Sequence, residues 1–199
     1  QYLEFIDRAR SFLDQPEINR PLTIAGDMIV GFCGETEADF EASKDLLRRV
    51  RYKNCFIFKY SPRPGTVAHD RMPDDVPDAT KKRRCNELLA VQHEISNEIS
   101  QGLVGHRLEV FVEGLSAREA KKRDRSRGGL VSLTVGGRDG DPAGELPADP
   151  PAGPVQLTGP TDGDLIVVFD CPDGRSPDDL IGRLAPVRID SASVLTMFG

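Results

Sequence analysis

The stretch Asp27-Met28-Ile29-Val30-Gly31-Phe32 constrains this chain most. An apolar run of strand length that ends in glycine and leads into a capped helix reads as a parallel strand, apolar on both faces and buried. Thr36 is placed to cap the following helix, and Asp39 three residues on makes an acidic variant of the capping box. Glu35, Glu37 and Asp39 suit the positive end of its dipole, and Phe40, Leu47 and Val50 form its apolar stripe. A second strand is expected at Asn54–Tyr60, closed by the turn Ser61-Pro62-Arg63-Pro64-Gly65-Thr66. Upstream, Tyr2, Phe5, Ile6, Ala9, Phe12 and Leu13 share one helical face, so a helix is expected that ends before Pro16. Helix, strand, helix, strand is an α/β arrangement with parallel strands. The first helix has no N-cap before it and the chain has no initiator Met, so a fragment of a longer protein is expected.

Beyond Asp74, Asp75 and Pro77 the pattern changes to one long helix, with Cys85, Leu88, Leu89, Ile95 and Ile99 at helical spacing up to Gly102. Its first turns carry Lys81-Lys82-Arg83-Arg84, read as a solvated face with an RNA-facing role as the alternative. The remainder reads as all-β. Strands are expected at Arg107–Glu113, Val155–Thr158, Asp164–Phe169, Leu184–Ile189 and Val194–Phe198, a spacing that suggests a small barrel. Residues 128–163 hold nine Gly and six Pro, and within them 139–154 reads as a disordered insertion in a hairpin. Just before it, residues 118–127 hold six Lys/Arg against Glu119 and Asp124, a local net of +4 in an expected loop.

Composition narrows the function classes. The formal net charge of −6 argues against wholesale nucleic-acid coating, though not against a local basic patch. No apolar run approaches the ~20 residues of a membrane helix, and the charged N-terminus is not a signal peptide. Cys33, Cys55, Cys85 and Cys171 are scattered without C-x-x-C spacing, so free thiols in a reducing cytoplasm are expected. His69, His93 and His106 have no metal-ligand partners at a recognisable spacing. The turn Gly31–Thr36 is the better candidate, because ligands bind at the carboxyl ends of parallel strands and a helix N-terminus attracts anions.

The strings DMIVGFCGETEADF, FKYSPRPGTVA and LVGHRLEVFVEG together resemble the radical-SAM methylthiotransferases, and the MiaB branch best. Cys33 stands where that family usually has Pro. LTGPTDGDLIVVF is similar to a hairpin of the family's TRAM domain, with Pro160 and Asp164 in place of the usual Arg and Asn, and LIGRLAPVRIDSASVLTMFG is similar to its closing strands. The resemblance implies α/β followed by all-β: the end of a radical-SAM (β/α) barrel over 1–72, a linker helix over 73–101, and a small RNA-binding TRAM β-barrel over 102–199. It implies a cytoplasmic enzyme that uses S-adenosylmethionine and two [4Fe–4S] clusters to methylthiolate isopentenyladenosine next to the tRNA anticodon. The cluster cysteines are expected upstream, so neither a metal ligand nor a catalytic residue is assigned here. Ile29, Gly31 and Glu35 match the strand-end motif beside the adenosyl group, and Tyr60, Ser61 and Arg63 match the next strand end. Ile29, Gly31, Glu35, Ser61 and Arg63 are the cofactor-side candidates. Arg118, Lys121, Lys122, Arg123, Arg125 and Arg127 are the RNA-side candidates. A RimO-like enzyme acting on a ribosomal protein, with an acidic residue where Arg63 stands, and a stand-alone RNA-binding module are the alternatives.

Overall fold

The computed structural model describes residues 1–15, 22–127 and 153–199. The expected insertion at 139–154 therefore lies outside the described residues, apart from Gly153 and Pro154. The chain opens with α1 (Tyr2–Leu13), β1 (Ala25–Val30), α2 (Glu37–Val50) and β2 (Asn54–Lys59), followed by a short α3 (Val67–Arg71) and the long α4 (Asp78–Gly102). Strands β1 and β2 pair in parallel from Ala25 opposite Asn54 to Val30 opposite Lys59, as expected of a β-α unit. The capping box also forms: the Asp39 amide donates to Thr36 Oγ1, and the Thr36 amide donates to the Asp39 carboxylate. Beneath the sheet, Val30, Cys55 and Ile57 pack with Phe40, Leu47 and Val50 of α2 and with Leu88, Val91 and Ile95 of α4.

Burial on both sheet faces is not what the structure holds. The helices cover one face only, and Asp27, Ile29, Phe56 and Phe58 are exposed on the other. Helix α1 likewise buries only Ile6 of its apolar stripe, while Phe5 and Phe12 face solvent. Helix α4 holds the α2–β2 connection by satisfying its carbonyls: Gln92 Nε2 donates to Tyr52 O at 2.8 Å and Ser96 Oγ to Lys53 O at 2.8 Å.

The second half is β-rich. Strands β3 (Arg107–Phe111), β4 (Gly114–Leu115), β5 (Gln156–Pro160), β6 (Ile166–Asp170), β7 (Leu184–Arg188), β8 (Ser191–Ala192) and β9 (Thr196–Phe198) are joined by α5 (Ala117–Arg127) and the short α6 (Pro177–Leu180). The expected barrel does not close as one continuous ladder. Strands β3 and β7 form an antiparallel pair, and the others form a sheet in the order β4-β5-β6-β9-β8. A single bridge, Val110 to Thr161, links the two sheets. Two of the expected strands are shortened: Arg107–Glu113 ends at Phe111, and Val194–Phe198 begins only at Thr196, after a turn in which the Ser193 amide donates to Thr196 O. A separate apolar core fills this half, with Val110, Val112, Leu157, Val167 and Ile189 fully buried.

The two halves touch through α4 and one β-turn. Ser100 Oγ donates to Val194 O at 3.2 Å and Gln101 Nε2 to Ala192 O at 2.8 Å. Thr23 Oγ1 donates to Gly163 O at 2.9 Å, and the Lys53 ammonium donates to Asp164 O. Asp164 has a positive φ of 55°, a conformation that Asp and Asn tolerate better than most residues.

Candidate functional site

The turn after β1 is built around Gly31. Its φ of +72° favours glycine, and a Cβ there would stand 2.4 Å from Lys81 Cγ, so a side chain has no room. The chain then folds back, with the Glu35 amide donating to Phe32 O at 2.9 Å. One Glu35 carboxylate oxygen accepts the Gly31 N–H at 2.7 Å; the other accepts from Arg84 Nη1 at 2.6 Å. Arg84 Nη1 also reaches Glu35 O at 3.1 Å, and Nη2 reaches Glu37 at 3.0 Å. The Gly34 amide donates to Asp75 at 2.8 Å. The turn amides at 31 and 34 are thus engaged by this chain's own carboxylates. A cleft of about 480 Å³ opens between the first turns of α2 and α4, lined by Gly34, Thr36, Asp75, Thr80, Arg83 and Arg84.

The second strand end lies alongside, with the Tyr60 amide donating to Val30 O at 2.8 Å. The Phe32 and Tyr60 rings meet edge to face at 5.0 Å, and Lys81 Nζ stands 5.2 Å from the Tyr60 ring centroid while pairing with Asp74. The Tyr60 hydroxyl is buried beside Cys33 with no partner at hydrogen-bonding geometry, and desolvation pushes its pKa up. Ser61 and Arg63 are exposed in the following turn, where Arg63 O accepts from the Thr66 amide and hydroxyl. Ile29 is 59% exposed on the uncovered sheet face beside Phe58. Backbone geometry therefore gathers Ile29, Gly31, Glu35, Ser61 and Arg63 at one end of a two-stranded sheet. Their roles differ: Ile29, Ser61 and Arg63 present side chains to solvent, whereas the Glu35 side chain is only 12% exposed and fully engaged.

Lys81 and Arg84 correct the solvated-face reading for two of the four residues of the basic run. Both are only 4% exposed and turn inward to the strand-end turns. Lys82 and Arg83 alone of the four are exposed. The signal was in the helical phase: Lys81, Arg84, Leu88, Val91 and Ile95 fall on one face, so the apolar stripe carries these two cations inward with it. Arg83 reaches Glu37 and Glu87, and these cations, Arg84 first, hold the Glu37 carboxyl below its ordinary range.

The four cysteines are free. Burial pushes the Cys55 thiol up to about 11, which disfavours the thiolate that iron–sulfur ligation needs. Among the described residues no three His, Cys, Asp or Glu side chains converge as a metal site. The donor set does not fit an iron–sulfur cluster. The uncovered apolar face at Ile29, next to a glycine turn, does suit a flat adenine ring.

The second basic segment is a helix, not the expected loop. Ser116 caps it, with the Glu119 amide donating to Ser116 Oγ at 3.2 Å. Arg118, Lys121 and Lys122 fall at i, i+3 and i+4, one exposed face, and Arg123 is exposed beside them. Arg125 and Arg127 lie in the last turns of the same helix. His93 is exposed on α4.

No family model matches this chain. Three curated relatives carry the name tRNA-2-methylthio-N(6)-dimethylallyladenosine synthase. The one from Rhodopirellula baltica is 41% identical over 198 residues, covering all of this chain and 34% of that protein. That from Pelodictyon phaeoclathratiforme is 35% identical over 199 residues, all of this chain and 35% of that protein. That from Thermoanaerobacter sp. strain X514 is 46% identical over 136 residues, 68% of this chain and 27% of that protein. The chain belongs to this MiaB-type family. It spans about a third of the length of the curated relatives it matches. The family in general is associated with S-adenosylmethionine and iron–sulfur chemistry. Among the described residues no helix is long and apolar enough to cross a membrane.

Proposed function

We propose that this chain is the C-terminal third of a cytoplasmic enzyme that methylthiolates N6-dimethylallyladenosine in tRNA. The observation that carries the reading is the 41% identity to a synthase of that name over the whole chain. In this reading residues 1–72 end the radical-SAM core, 73–101 link it, and 102–199 form the TRAM unit. S-adenosylmethionine, when bound, supplies the radical chemistry and the methyl group. This chain's residues bind and orient. Ile29 offers apolar contact to the adenine, the Gly31 turn lets the backbone approach the ligand, and Ser61 and Arg63 offer a hydroxyl and a cation from the next strand end. Glu35 serves by holding the turn. No step through an iron–sulfur cluster is assigned to these residues, because the thiols here do not form a set that would hold one. Expression of the full-length gene in a bacterium lacking its own tRNA methylthiotransferase tests the reading. Mass spectrometry of digested tRNA is expected to show the 2-methylthio nucleoside restored; unmodified dimethylallyladenosine would overturn it.

The RNA contact is assigned to α5, where Arg118, Lys121, Lys122 and Arg123 are exposed although the chain as a whole is acidic. Phosphate contacts release counterions, so tRNA affinity should fall with salt at a log–log slope of about −2 to −4 if three or four cations engage. Replacing Lys121, Lys122 and Arg123 by Ala is expected to flatten that slope by about 2 and to weaken all tRNAs alike, since such contacts position rather than specify. Filter binding across a salt series checks it, and an unchanged slope removes α5 from the RNA surface.

A further inference from the structure

Arg84 reads as part of a basic run, yet with Lys81 it is one of the two most enclosed charged groups at the strand-end turn. We propose that Arg84 is a positioning residue that sets the conformation of the turn Gly31–Thr36 and through it the affinity for S-adenosylmethionine. This rests on the reading that the turn faces that cofactor.

The connection is continuous. One guanidinium nitrogen takes the Glu35 carboxylate at 2.6 Å and the Glu35 carbonyl at 3.1 Å; the other takes Glu37 at 3.0 Å. The remaining Glu35 oxygen holds the Gly31 N–H at 2.7 Å, one residue past the end of β1. Two hydrogen-bonded steps thus run from α4 to the backbone amide that follows Ile29 and Val30. Each link is charge-assisted and short, which is where hydrogen bonds are strongest and most directional. The geometry also calls for arginine. A planar fork addresses a side-chain carboxylate, a main-chain carbonyl and a second carboxylate at once, and an ammonium is a single point charge. Arg84 Nε has no hydrogen-bond partner among the described residues, so the terminal nitrogens carry the hydrogen bonds of the head. Glu35 is nearly as enclosed as Arg84, at 12% exposure against 4%. Removing the cation leaves a carboxylate buried without its partner, and such a group turns toward water. In doing so it would release the Gly31 N–H and the turn with it. Lys81 completes the support from below, its stem lying where a Gly31 side chain would be and its ammonium on Asp74.

The test uses the full-length gene product and three variants, Arg84→Lys, Arg84→Met and Glu35→Gln. S-adenosylmethionine Kd by equilibrium dialysis, tRNA Kd, and the urea midpoint are measured on each. Exchange of the peptide that carries Gly31 is followed by hydrogen–deuterium exchange mass spectrometry on the same full-length proteins. Arg84→Lys keeps the charge and is expected to keep the urea midpoint and tRNA affinity. It should weaken S-adenosylmethionine binding at least tenfold and speed exchange of the Gly31 peptide at least tenfold. Arg84→Met should weaken cofactor binding further. Glu35→Gln, which keeps an oxygen for the Gly31 amide, should fall between wild type and Arg84→Lys. Cofactor affinity and exchange of the Gly31 peptide unchanged in Arg84→Lys would overturn the proposal while leaving the functional reading intact. A loss of tRNA affinity with cofactor binding preserved would overturn it in favour of an RNA-facing Arg84. Wild-type protein that binds no S-adenosylmethionine would overturn the functional reading itself, and this proposal with it.

Discussion

Gly159→Ala is expected to be the most damaging Gly→Ala substitution among the described residues. A Cβ at 159 would stand 1.8 Å from Phe111 O, 2.8 Å from Phe111 C and 3.2 Å from Glu113 N. Those atoms are backbone, so no rotamer change relieves the contact. Strand β5 crosses the end of β3 there, and the same crossing lets the Glu113 amide donate to Thr158 O at 3.0 Å. The methyl would force β5 away from β3 and open the core at Leu157 and Val110, both fully buried. Overpacking of a well-packed core costs about 1–3 kcal/mol, and a backbone clash belongs at or beyond the upper end. At about 2–4 °C per kcal/mol for a chain of this size, the melting temperature should fall by about 6 °C or more. Far-UV circular dichroism follows it. A variant that melts with wild type would mean that β5 and β3 do not approach this closely.

Phe40→Ala should cost as much in the other core. Phe40 is fully buried between α2, β2 and α4, and truncation of such a ring costs about 3–5 kcal/mol through lost transfer energy and the cavity left behind. Its ring also has three cations around it: Lys44 Nζ at 5.0 Å, Arg84 Cζ at 5.4 Å and Arg83 Cζ at 5.6 Å. A desolvated cation over an aromatic face adds about 1–2 kcal/mol. The expected fall in melting temperature is about 6–20 °C. Phe40→Leu separates the two contributions, since it keeps most of the apolar volume and removes the ring. A leucine variant as unstable as the alanine one would show that the cations, rather than the cavity, dominate.

Local chemistry was readable in the sequence where a few adjacent residues decide the outcome. Thr36 and Asp39 form their capping box whatever packs around them, and the β1–β2 pairing follows from one capped helix between two apolar runs. Readings failed where the outcome depends on what covers a surface. Ile29, Phe56 and Phe58 look like core residues in a list of apolar runs, but α2 and α4 lie on the opposite face of their sheet. Lys81 and Arg84 look like surface residues for the converse reason, since a run of four charges hides which two share the phase of Leu88 and Ile95. Charge alone makes α5 read as a loop, whereas its Ala, Arg, Glu and Lys are all good helix formers behind a serine cap. Ser176-Pro177-Asp178-Asp179 announces the short α6 by the same cap logic that succeeded at Thr36. The candidate site was legible as a place, the end of two parallel strands, and not as an arrangement. Glu35 bonded to its own turn is a long-range outcome that needs Arg84, 49 positions away.

The joint between the two halves has a hereditary consequence. Thr23 and Lys53 grip the carbonyl oxygens of Gly163 and Asp164, and the Lys53 ammonium stands 3.8 Å from the exposed Asp164 carboxylate as well. Every amino acid brings a carbonyl, so what must be passed on at position 164 is tolerance of a left-handed backbone, which Asn and Asp share. Replacing Asn by Asp there leaves the gripped atoms in place. The seating of one half on the other therefore rests on a backbone shape at this turn, left-handed at 164 and bare of a side chain at 163, where a Cβ would stand 3.0 Å from Thr23 Cγ2.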